Sequence, residues 1–254
     1  MKKVKISAVS YLNTKPFLYG LEHNNVANQI DLQLDIPSEC ARKLIAGEVE
    51  LGLVPVAVIP KVKNAQVISD YCIGAIGEVK TVCVYSDCPM SEIETLYLDY
   101  QSRTSVALTK YLIQNYWKVT PKMVAAQAGY ESKIAGKTAA LIIGDRTIGL
   151  DTAYPYIYDL GTAWQDHTGL PFVFAAWVSN TELSDDFVTE FNAALQVGIA
   201  ERAAVAATFQ QGVSNFSVYD YYYKYINYEL DTQKKIALER FLGAISPQTE
   251  LVLR

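Results

Sequence analysis

Histidine and cysteine are scarce in this sequence of 254 residues, which contains two histidines and four cysteines. The cysteines form no Cys-x-x-Cys pair, and His23 and His167 lie in unrelated contexts. A zinc site requires clustered ligands, and a nucleophile requires a neighbouring base that a third group orients. We therefore expect neither a metal site nor a Cys–His nucleophile, and we expect the thiols to be reduced.

Dense runs of lysine or arginine are also missing, and the formal net charge is −5. Proteins that bind nucleic acids or anionic membranes usually carry a basic stripe, so the composition disfavours both kinds of partner. An anionic ligand would have to be held by local hydrogen-bond donors rather than by the overall charge of the protein.

Apolar runs long enough to cross a bilayer are absent, since the longest, residues 51–60, is too short and contains Pro55. The start, MKKVKISAVSYLNTKPF, places lysines before apolar residues as a signal peptide does. Ser7, Ser10 and Asn13 interrupt that stretch, and no small-residue cleavage site follows a continuous hydrophobic region. We therefore expect a soluble protein that stays in the cytoplasm.

Short runs rich in β-branched residues alternate with amphipathic helical stretches. Several runs are apolar at nearly every position, which is typical of strands covered on both faces. The alternation predicts an α/β protein whose ligands bind at the carboxyl ends of strands. The predicted strands are 4–9, 31–36, 50–56, 81–86, 95–99, 139–145 and 172–179.

Four predicted helices follow a serine or aspartate that can cap them. From about residue 184 onward the pattern is almost wholly helical. The predicted caps are Ser38 for a helix that ends at Gly47, Ser102 for residues 103–116, Ser184 for residues 185–209, and Asp231 for a helix that ends at Gly243.

The segment Ser10–Pro16 predicts a strand–loop–helix junction, with Thr14 as the helix cap and Pro16 early in the helix. Such a junction offers free backbone N–H groups and the positive end of a helix dipole, which suit a carboxylate. Asn13 adds a neutral donor and acceptor. On spacing alone, a binding site and a simple capped turn are equally good interpretations.

The segment Ser102–Ser105 predicts a second junction of this kind. Ser102, Thr104 and Ser105 supply three hydroxyls, and Arg103 supplies a guanidinium group beside a helix N-terminus. This density of donors favours an anion-binding site over an N-cap with a solvated arginine.

Gly144 and Asp145 end a predicted buried strand. The Asp145 carboxylate could accept a hydrogen bond from a substrate hydroxyl or from another lobe of the fold. An aspartate that follows a strand and a glycine is more often a turn or cap residue, so a structural role is the favoured interpretation.

The segment Trp164–Phe172 predicts a loop that leads into an apolar strand. Thr168 and Gly169 could line a pocket there, with Phe172 or Trp164 against a ring of the ligand. The lone His167 in this segment is interpreted as a solvated loop residue.

Six tyrosines fall between residues 219 and 228. At their spacings they cannot all face one way on a helix, so we interpret them as packing and amphipathic-surface residues. A self-association surface, and with it a homodimer, is the alternative.

Taken together and in order, these segments resemble the chorismate dehydratase (MqnA) family of the futalosine pathway of menaquinone biosynthesis. The similarity covers most of residues 5–180. A sister enzyme of that pathway shares the fold, but its opening segment carries a Cys-Pro-Asn-Asp-type run that Ser10–Pro16 does not match. The segments that carry the resemblance are SAVSYLNTKPF, PSECARKLIAGEVELGLVPVA, CIGAIGEVKTVCVYS, LDYQSRTSVALTKYL, AALIIGDRT and DLGTAWQDHTGLPFVFAAW.

The resemblance implies a type II periplasmic-binding-protein fold, in which two lobes close over a ligand in a cleft. We expect residues 1–86 and 177–254 to form the first lobe and residues 87–176 to form the second. The resemblance also implies a lyase (hydro-lyase) that converts chorismate to 3-(1-carboxyvinyloxy)benzoate and water without a metal or cofactor.

In this family the enolpyruvyl carboxylate of the substrate takes the proton, and an amide and a hydroxyl orient that carboxylate. The resemblance places these catalytic roles on Asn13 and Thr81, although the family commonly has serine at the second position. Together with the segments above, it gives a predicted substrate-binding set of Ser10, Thr14, Ser102, Arg103, Thr104, Ser105, Asp145, Thr168, Gly169 and Phe172.

Two alternatives come from other functional classes. A non-catalytic cytoplasmic sensor of a small carboxylate would use the same fold, whereas an exported solute receptor would need a signal peptide. An enzyme of related fold that acts on another enolpyruvyl or aromatic acid is a third interpretation.

Overall fold

The computed structural model describes residues 3–210, 216–247 and 251–253 and shows two α/β lobes, each built on one mixed sheet. Among these residues, six strands form the first sheet, in the order β11 (Asn227–Glu229), β4 (Gln66–Ala75), β10 (Phe172–Ser179), β3 (Leu51–Pro55), β1 (Val4–Val9) and β2 (Ile30–Asp35). Five described strands form the second, in the order β7 (Lys122–Ala125), β6 (Thr95–Leu98), β8 (Thr138–Ile143), β5 (Val82–Ser86) and β9 (Tyr156–Asp159).

Both sheets mix parallel and antiparallel pairs in a similar way. In the first sheet, β1 is parallel to β2 and β3, whereas β10 is antiparallel to β3 and β4. In the second sheet, β6 is parallel to β7 and β8, whereas β5 is antiparallel to β8 and β9. Each lobe therefore contains a core of parallel strands with an antiparallel strand beside it, and the first sheet adds a second antiparallel strand, β11, next to β4.

Helices pack against the sheets of both lobes or against other helices. They are α1 (Lys15–Glu22), α2 (Pro37–Ile45), α3 (Arg103–Leu112), α4 (Leu160–Thr168), α5 (Asp185–Ala200), α6 (Arg202–Gln210), α7 (Val218–Asp220) and α8 (Thr232–Ile245). The short α7 continues as one turn of π-helix over Tyr221–Tyr225. Within the described ranges, no helix combines the length and the apolar character needed to span a bilayer.

The predicted α/β class and all seven predicted strands are confirmed, with strand ends shifted by two residues at most. Every position of β3 and β5 is buried, as expected for strands covered on both faces. The pattern does not predict the long strand β4, because Ser69, Asp70 and Gly74 interrupt its apolar run. The Asn192 side chain accepts hydrogen bonds from the Ser69 hydroxyl and the Asp70 backbone N–H, which satisfies the polar groups at this interruption.

Three predicted helix caps are confirmed, since Ser102, Ser184 and Asp231 each accept the backbone N–H three residues ahead. The cap predicted at Ser38 is wrong. Ser38 lies inside α2, which begins at Pro37 because proline suits the first helical position.

The predicted helix ends are confirmed at one position and wrong at others. Gly47 takes a left-handed conformation after α2, with φ +72°, as a helix-terminating glycine does. Gly243 does not end α8, which runs to Ile245. The single helix predicted over 185–209 is interrupted at Glu201, and β11 interrupts the helical last third.

The points where the chain crosses between the two sheets differ from the predicted boundaries between the two lobes. β5 was expected in the first lobe, but it pairs with β8 and β9 in the second sheet. All of β10 from Phe172 onward pairs with strands of the first sheet. The chain therefore crosses between the sheets at residues 76–81 and again shortly before Phe172, rather than near residues 86 and 176.

Helices α1 and α5 cross at very short distance. A Cβ atom on Gly20 would lie 2.0 Å from the carbonyl oxygen of Ala194, and one on Gly198 would lie 1.8 Å from that of Pro16. Only glycine lets the two backbones approach this closely. Because α1 carries the turn after β1 at its N-terminus, the crossing fixes where that turn lies on the first lobe.

We expect Gly198→Ala to lower the free energy of unfolding by about 1–3 kcal/mol, because the added methyl group must separate two packed backbones. Gly243→Ala is the matched control, since this helical glycine has no atom within 4 Å of an added Cβ. Alanine there should raise the free energy of unfolding by up to about 1 kcal/mol. Urea denaturation measures both values, and equal stability of the two variants would argue against the close crossing.

Candidate active site between the two lobes

A cavity of about 50 Å³ lies between the lobes, and residues of β1, β3 and β8 contribute to its walls. Loops that follow parallel strands are where α/β sheets usually bind ligands. No Asp, Glu, His, Lys or Arg is among the described residues that line it. The lining residues are Val9, Tyr11, Asn13, Thr14, Pro37, Pro55, Ile73, Val82, Ser102, Ser105, Ile143, Phe174 and Ala175.

The turn after β1 is a short 3-10 helix, Leu12–Thr14, that leads directly into α1. Thr14 occupies the N-cap position, but its predicted capping role is wrong. Its hydroxyl donates to Asn13 Oδ1 at 3.1 Å instead of accepting a helix N–H. Asn13 and Thr14 line the cavity, whereas Ser10 is half-buried before the turn and does not.

Two tyrosines from the C-terminal segment hold the carbonyl groups of this turn. The Tyr222 hydroxyl donates to the carbonyl oxygen of Leu12 at 2.9 Å, and the Tyr228 hydroxyl donates to that of Asn13 at 3.0 Å. Both rings are buried, and a buried phenol requires such a partner. The backbone of the turn is thereby fixed to the first lobe.

A third tyrosine, Tyr221, contacts one of the two residues with predicted catalytic roles. Its hydroxyl oxygen lies 2.7 Å from Thr81 Oγ1. Thr81 is buried and directly precedes Val82, which lines the cavity as Asn13 does. Asn13 therefore lies in the wall of the cavity, and Thr81 lies at its edge.

The second lobe fixes the same turn from the opposite side. The Leu12 N–H donates to both carboxylate oxygens of Asp145, at 3.0 and 3.1 Å, and the Tyr11 hydroxyl donates to Gln101. Gly144, with φ +66°, leaves room for the Tyr11 ring, since a Cβ there would lie 2.5 Å from Tyr11 Cε2. Of the roles considered for Asp145, the structure shows the hydrogen bond from the other lobe.

The N-terminus of α3 forms a facing wall. Ser102 accepts the Ser105 N–H at 3.1 Å and donates to the Ser105 hydroxyl at 3.0 Å, and both residues line the cavity. The Thr104 hydroxyl instead accepts the Ala57 N–H at 3.1 Å, which is a further bond between the lobes. Arg103 is exposed and lines a separate groove, so it lies outside this cavity.

The segment that contains Thr168, Gly169 and Phe172 lies outside the cavity wall. The predicted loop is wrong here, because Asp159 caps α4, which continues through Thr168. The Thr168 hydroxyl donates to the carbonyl oxygen of Trp164 at 2.7 Å, and Gly169 ends the helix with φ +74°. Phe172 is buried in an aromatic cluster with Trp164. These contacts are structural.

The tyrosine-rich segment contains contacts to the site that its sequence pattern does not reveal. The predicted packing role is confirmed for Tyr221, Tyr222 and Tyr228, which are buried, while Tyr219 and Tyr223 stack on each other and are exposed. One signal was present in the sequence: several buried phenols require several hydrogen-bond partners. The pattern gives no indication that these partners lie in the turn after β1 and at Thr81.

Burial dominates the electrostatics of the site. It raises the pKa of the Tyr221 phenol, although the hydrogen bond with Thr81 and the nearby Asn13 side chain oppose the shift. Burial likewise raises the pKa of the Tyr11 phenol. It also raises the pKa of the Asp145 carboxyl, against the effects of the Leu12 N–H and Lys15. The phenols are therefore neutral at neutral pH, and the cavity offers uncharged donors.

Comparisons with known proteins agree with this architecture. A family described as "Menaquinone biosynthesis" matches residues 4–246 of the chain. A chorismate dehydratase of Thermus thermophilus is 26% identical over 232 residues, which cover 83% of this chain and 84% of that protein.

Two solved structures show the same fold at low sequence identity. Protein AF1704 from Archaeoglobus fulgidus has a TM-score of 0.74 and 16% identity, covering 96% of this chain and 97% of that chain. The CA3427 gene product of Candida albicans, which exhibits the generic periplasmic-binding-protein fold, has a TM-score of 0.60 and 12% identity, covering 98% and 92%. The predicted periplasmic-binding-protein fold is confirmed.

We expect Asp145→Asn to leave the free energy of unfolding at pH 7 unchanged or higher, because it keeps an acceptor for the Leu12 N–H and removes a buried charge. Burial raises the pKa of Asp145 in the folded state, so the wild type binds this proton more tightly when folded. The wild type should therefore gain stability as pH falls through that pKa, and the advantage of the variant should shrink. Urea denaturation at pH 7 and pH 4 measures the change.

Asp145→Ala provides the contrast for this prediction. It leaves the buried Leu12 N–H without an acceptor and should cost about 1–3 kcal/mol at pH 7. Equal loss of stability in the Asn and Ala variants would show that the bond between the lobes does not hold the turn.

Proposed function

This chain belongs to the menaquinone biosynthesis family, and we propose that it is a chorismate dehydratase, a hydro-lyase that converts chorismate to 3-(1-carboxyvinyloxy)benzoate and water. Support comes from the chorismate dehydratase relative and from the cavity between the lobes. The observation that carries the proposal is that Asn13 lines this cavity while Thr81, hydrogen-bonded to Tyr221, directly precedes the lining residue Val82. These are the residues on which the orientation of the substrate depends.

Chorismate carries two carboxylates, so the protein must supply hydrogen-bond donors to both. The cavity supplies an amide and hydroxyls from Asn13, Thr14, Ser102 and Ser105, together with the N-terminus of α3. The positive end of a helix dipole favours an anion in this position. Uncharged donors on opposite lobes therefore hold the dianion in the cleft.

The reaction removes the proton from the ether-bearing ring carbon and expels the neighbouring hydroxyl group. Loss of the proton pushes charge through the diene into the ring carboxylate, where donors aimed at that group stabilise it. The electron pair of the broken C–H bond forms the new ring double bond as the bond between the ring and the leaving hydroxyl group breaks. The leaving hydroxide becomes water by taking up the proton that the base removed from the ring, and aromatisation drives the elimination.

The base in this mechanism is the enolpyruvyl carboxylate of the substrate itself. A protein base would have to lie within hydrogen-bond reach of the ring proton. None of the described residues that line the cavity carries a carboxylate, an imidazole or an amine. Asn13 and the Thr81 hydroxyl would orient the substrate carboxylate against the ring, so the protein contributes positioning rather than proton transfer.

The volume of the cavity requires the lobes to move. A cavity of about 50 Å³ holds no more than about two water molecules and is too small for chorismate. We infer that the substrate binds when the lobes separate at the two crossings between the sheets. The bonds from Leu12 to Asp145 and from Ala57 to Thr104 then re-form as the cleft closes.

Incubation of the purified wild-type protein with chorismate tests the proposed activity directly. We expect the diene absorbance to disappear while the benzoate ether appears in equal amount. Binding of chorismate without turnover would favour the alternative, a small-carboxylate sensor. Absence of both binding and turnover would overturn the substrate assignment.

Three variants test the proposed roles of the two orienting residues. Thr81→Val removes the hydroxyl at nearly constant volume and should lower kcat on the order of 10²-fold, as loss of one well-placed donor does. Thr81→Ser is the matched control, because it keeps the hydroxyl and should remain close to the wild type. Asn13→Ala should lower kcat strongly and change the free energy of unfolding only slightly. Wild-type turnover in Thr81→Val or Asn13→Ala would refute the role given to that residue.

A further inference from the structure

Tyr221 lies in a rigid and fully packed environment beside the proposed catalytic residues. Its side chain is only 1% exposed, and its ring packs against Phe216 with 5.3 Å between ring centroids. It begins a turn of π-helix after α7, which Ser217 caps. Single π-helical turns occur frequently at functional sites. The hydroxyl group of Tyr221 is therefore held at one position beside Thr81.

The hydrogen bonds around Asn13 define the orientation of its amide. The Thr14 hydroxyl donates to Asn13 Oδ1 at 3.1 Å, which places the carbonyl oxygen of the amide toward Thr14. The NH2 group of Asn13, which carries two donors, is then left for a ligand in the cavity that Asn13 lines.

The phenol hydroxyl of Tyr221 has one proton to donate and lone pairs that accept. Its oxygen lies 2.7 Å from Thr81 Oγ1, and either hydroxyl can be the donor in this pair. When Tyr221 donates, Thr81 Oγ1 accepts and keeps its own proton for another partner.

We propose that Tyr221 is a positioning residue for the dehydration, whose hydroxyl donates to Thr81 Oγ1 and so leaves the Thr81 O–H, together with the Asn13 amide, as donors for a single substrate carboxylate. This inference rests on the proposed function and names the group that places one of its two orienting residues. A carboxylate, which only accepts hydrogen bonds, is the ligand that two such donors select.

Tyr221→Phe tests this role because it removes the hydroxyl and keeps the ring. We expect kcat with chorismate to fall on the order of 10²-fold, as small misplacements of catalytic groups can cause, with a much smaller change in KM. Tyr85→Phe is the matched control, since Tyr85 is an equally buried phenol in β5 that does not line the cavity. Its kcat should equal that of the wild type. Turnover of chorismate by the wild type tests the proposed function, and the ratio of kcat between Tyr221→Phe and the wild type tests the role of Tyr221.

A double-mutant comparison separates positioning from a general loss of packing. If Tyr221 acts through Thr81, Tyr221→Phe should reduce kcat strongly in the wild type and only slightly in Thr81→Val. Equal fold losses in both backgrounds, or wild-type kcat in Tyr221→Phe, would overturn the proposal.

Fluorinated tyrosine at position 221 gives a test that does not depend on the folding of Tyr221→Phe. Fluorine lowers the phenol pKa and keeps the hydroxyl, and an ionised phenol cannot donate to Thr81. We expect the kcat of the fluorotyrosine protein to decline at a lower alkaline pH than that of the wild type, whereas the same substitution at position 85 should not shift the profile. Superimposable profiles for the wild type and the protein substituted at position 221 would contradict the proposed direction of the hydrogen bonds.

Discussion

The hydrogen bonds on the backbone of the turn after β1 are the constraint on which the site depends. The Leu12 N–H bonds to Asp145 of the second lobe, and the carbonyl groups of Leu12 and Asn13 bond to buried tyrosines of the first lobe. Both lobes therefore hold the turn. Closure of the cleft and placement of Asn13 occur together, because closure forms the bond to the second lobe. The close crossing of α1 and α5 at Gly20 and Gly198 fixes the position of α1, which follows the same turn.

A dianionic substrate and a protein with a net charge of −5 are compatible because the donors are local. The cavity walls offer hydroxyl, amide and helix N-terminal N–H groups and no cation among the described lining residues. Uncharged donors that need no reorganisation stabilise the charge that develops in a transition state. The chemistry then falls to the substrate, whose own carboxylate removes the proton, and the protein supplies orientation.

Local signals predicted much of the fold, whereas contacts between distant segments were beyond them. The cap at Ser102 and the strands β1 and β10 could be predicted because each depends on its own few residues. The contact between Tyr221 and Thr81 joins residues far apart in the chain, and periodicity gives no information about such pairs. Thr168 and Phe172 illustrate the converse: their polar and aromatic character fits a pocket, but α4 and the aromatic core use them structurally. The orienting roles of Asn13 and Thr81 were predicted from family resemblance, not from spacing.

The pH dependence of kcat with chorismate tests most directly whether uncharged positioning groups, rather than a protein acid or base, support the dehydration. Asn13 and Thr81 do not titrate, and burial raises the pKa of Tyr221 above its ordinary value near 10. The account therefore predicts a kcat that stays constant from about pH 6 to about pH 9, since no protein group that moves a proton changes its charge in this range. A bell-shaped profile with a pKa inside that range would show that a side chain of the protein acts as acid or base and would contradict the account.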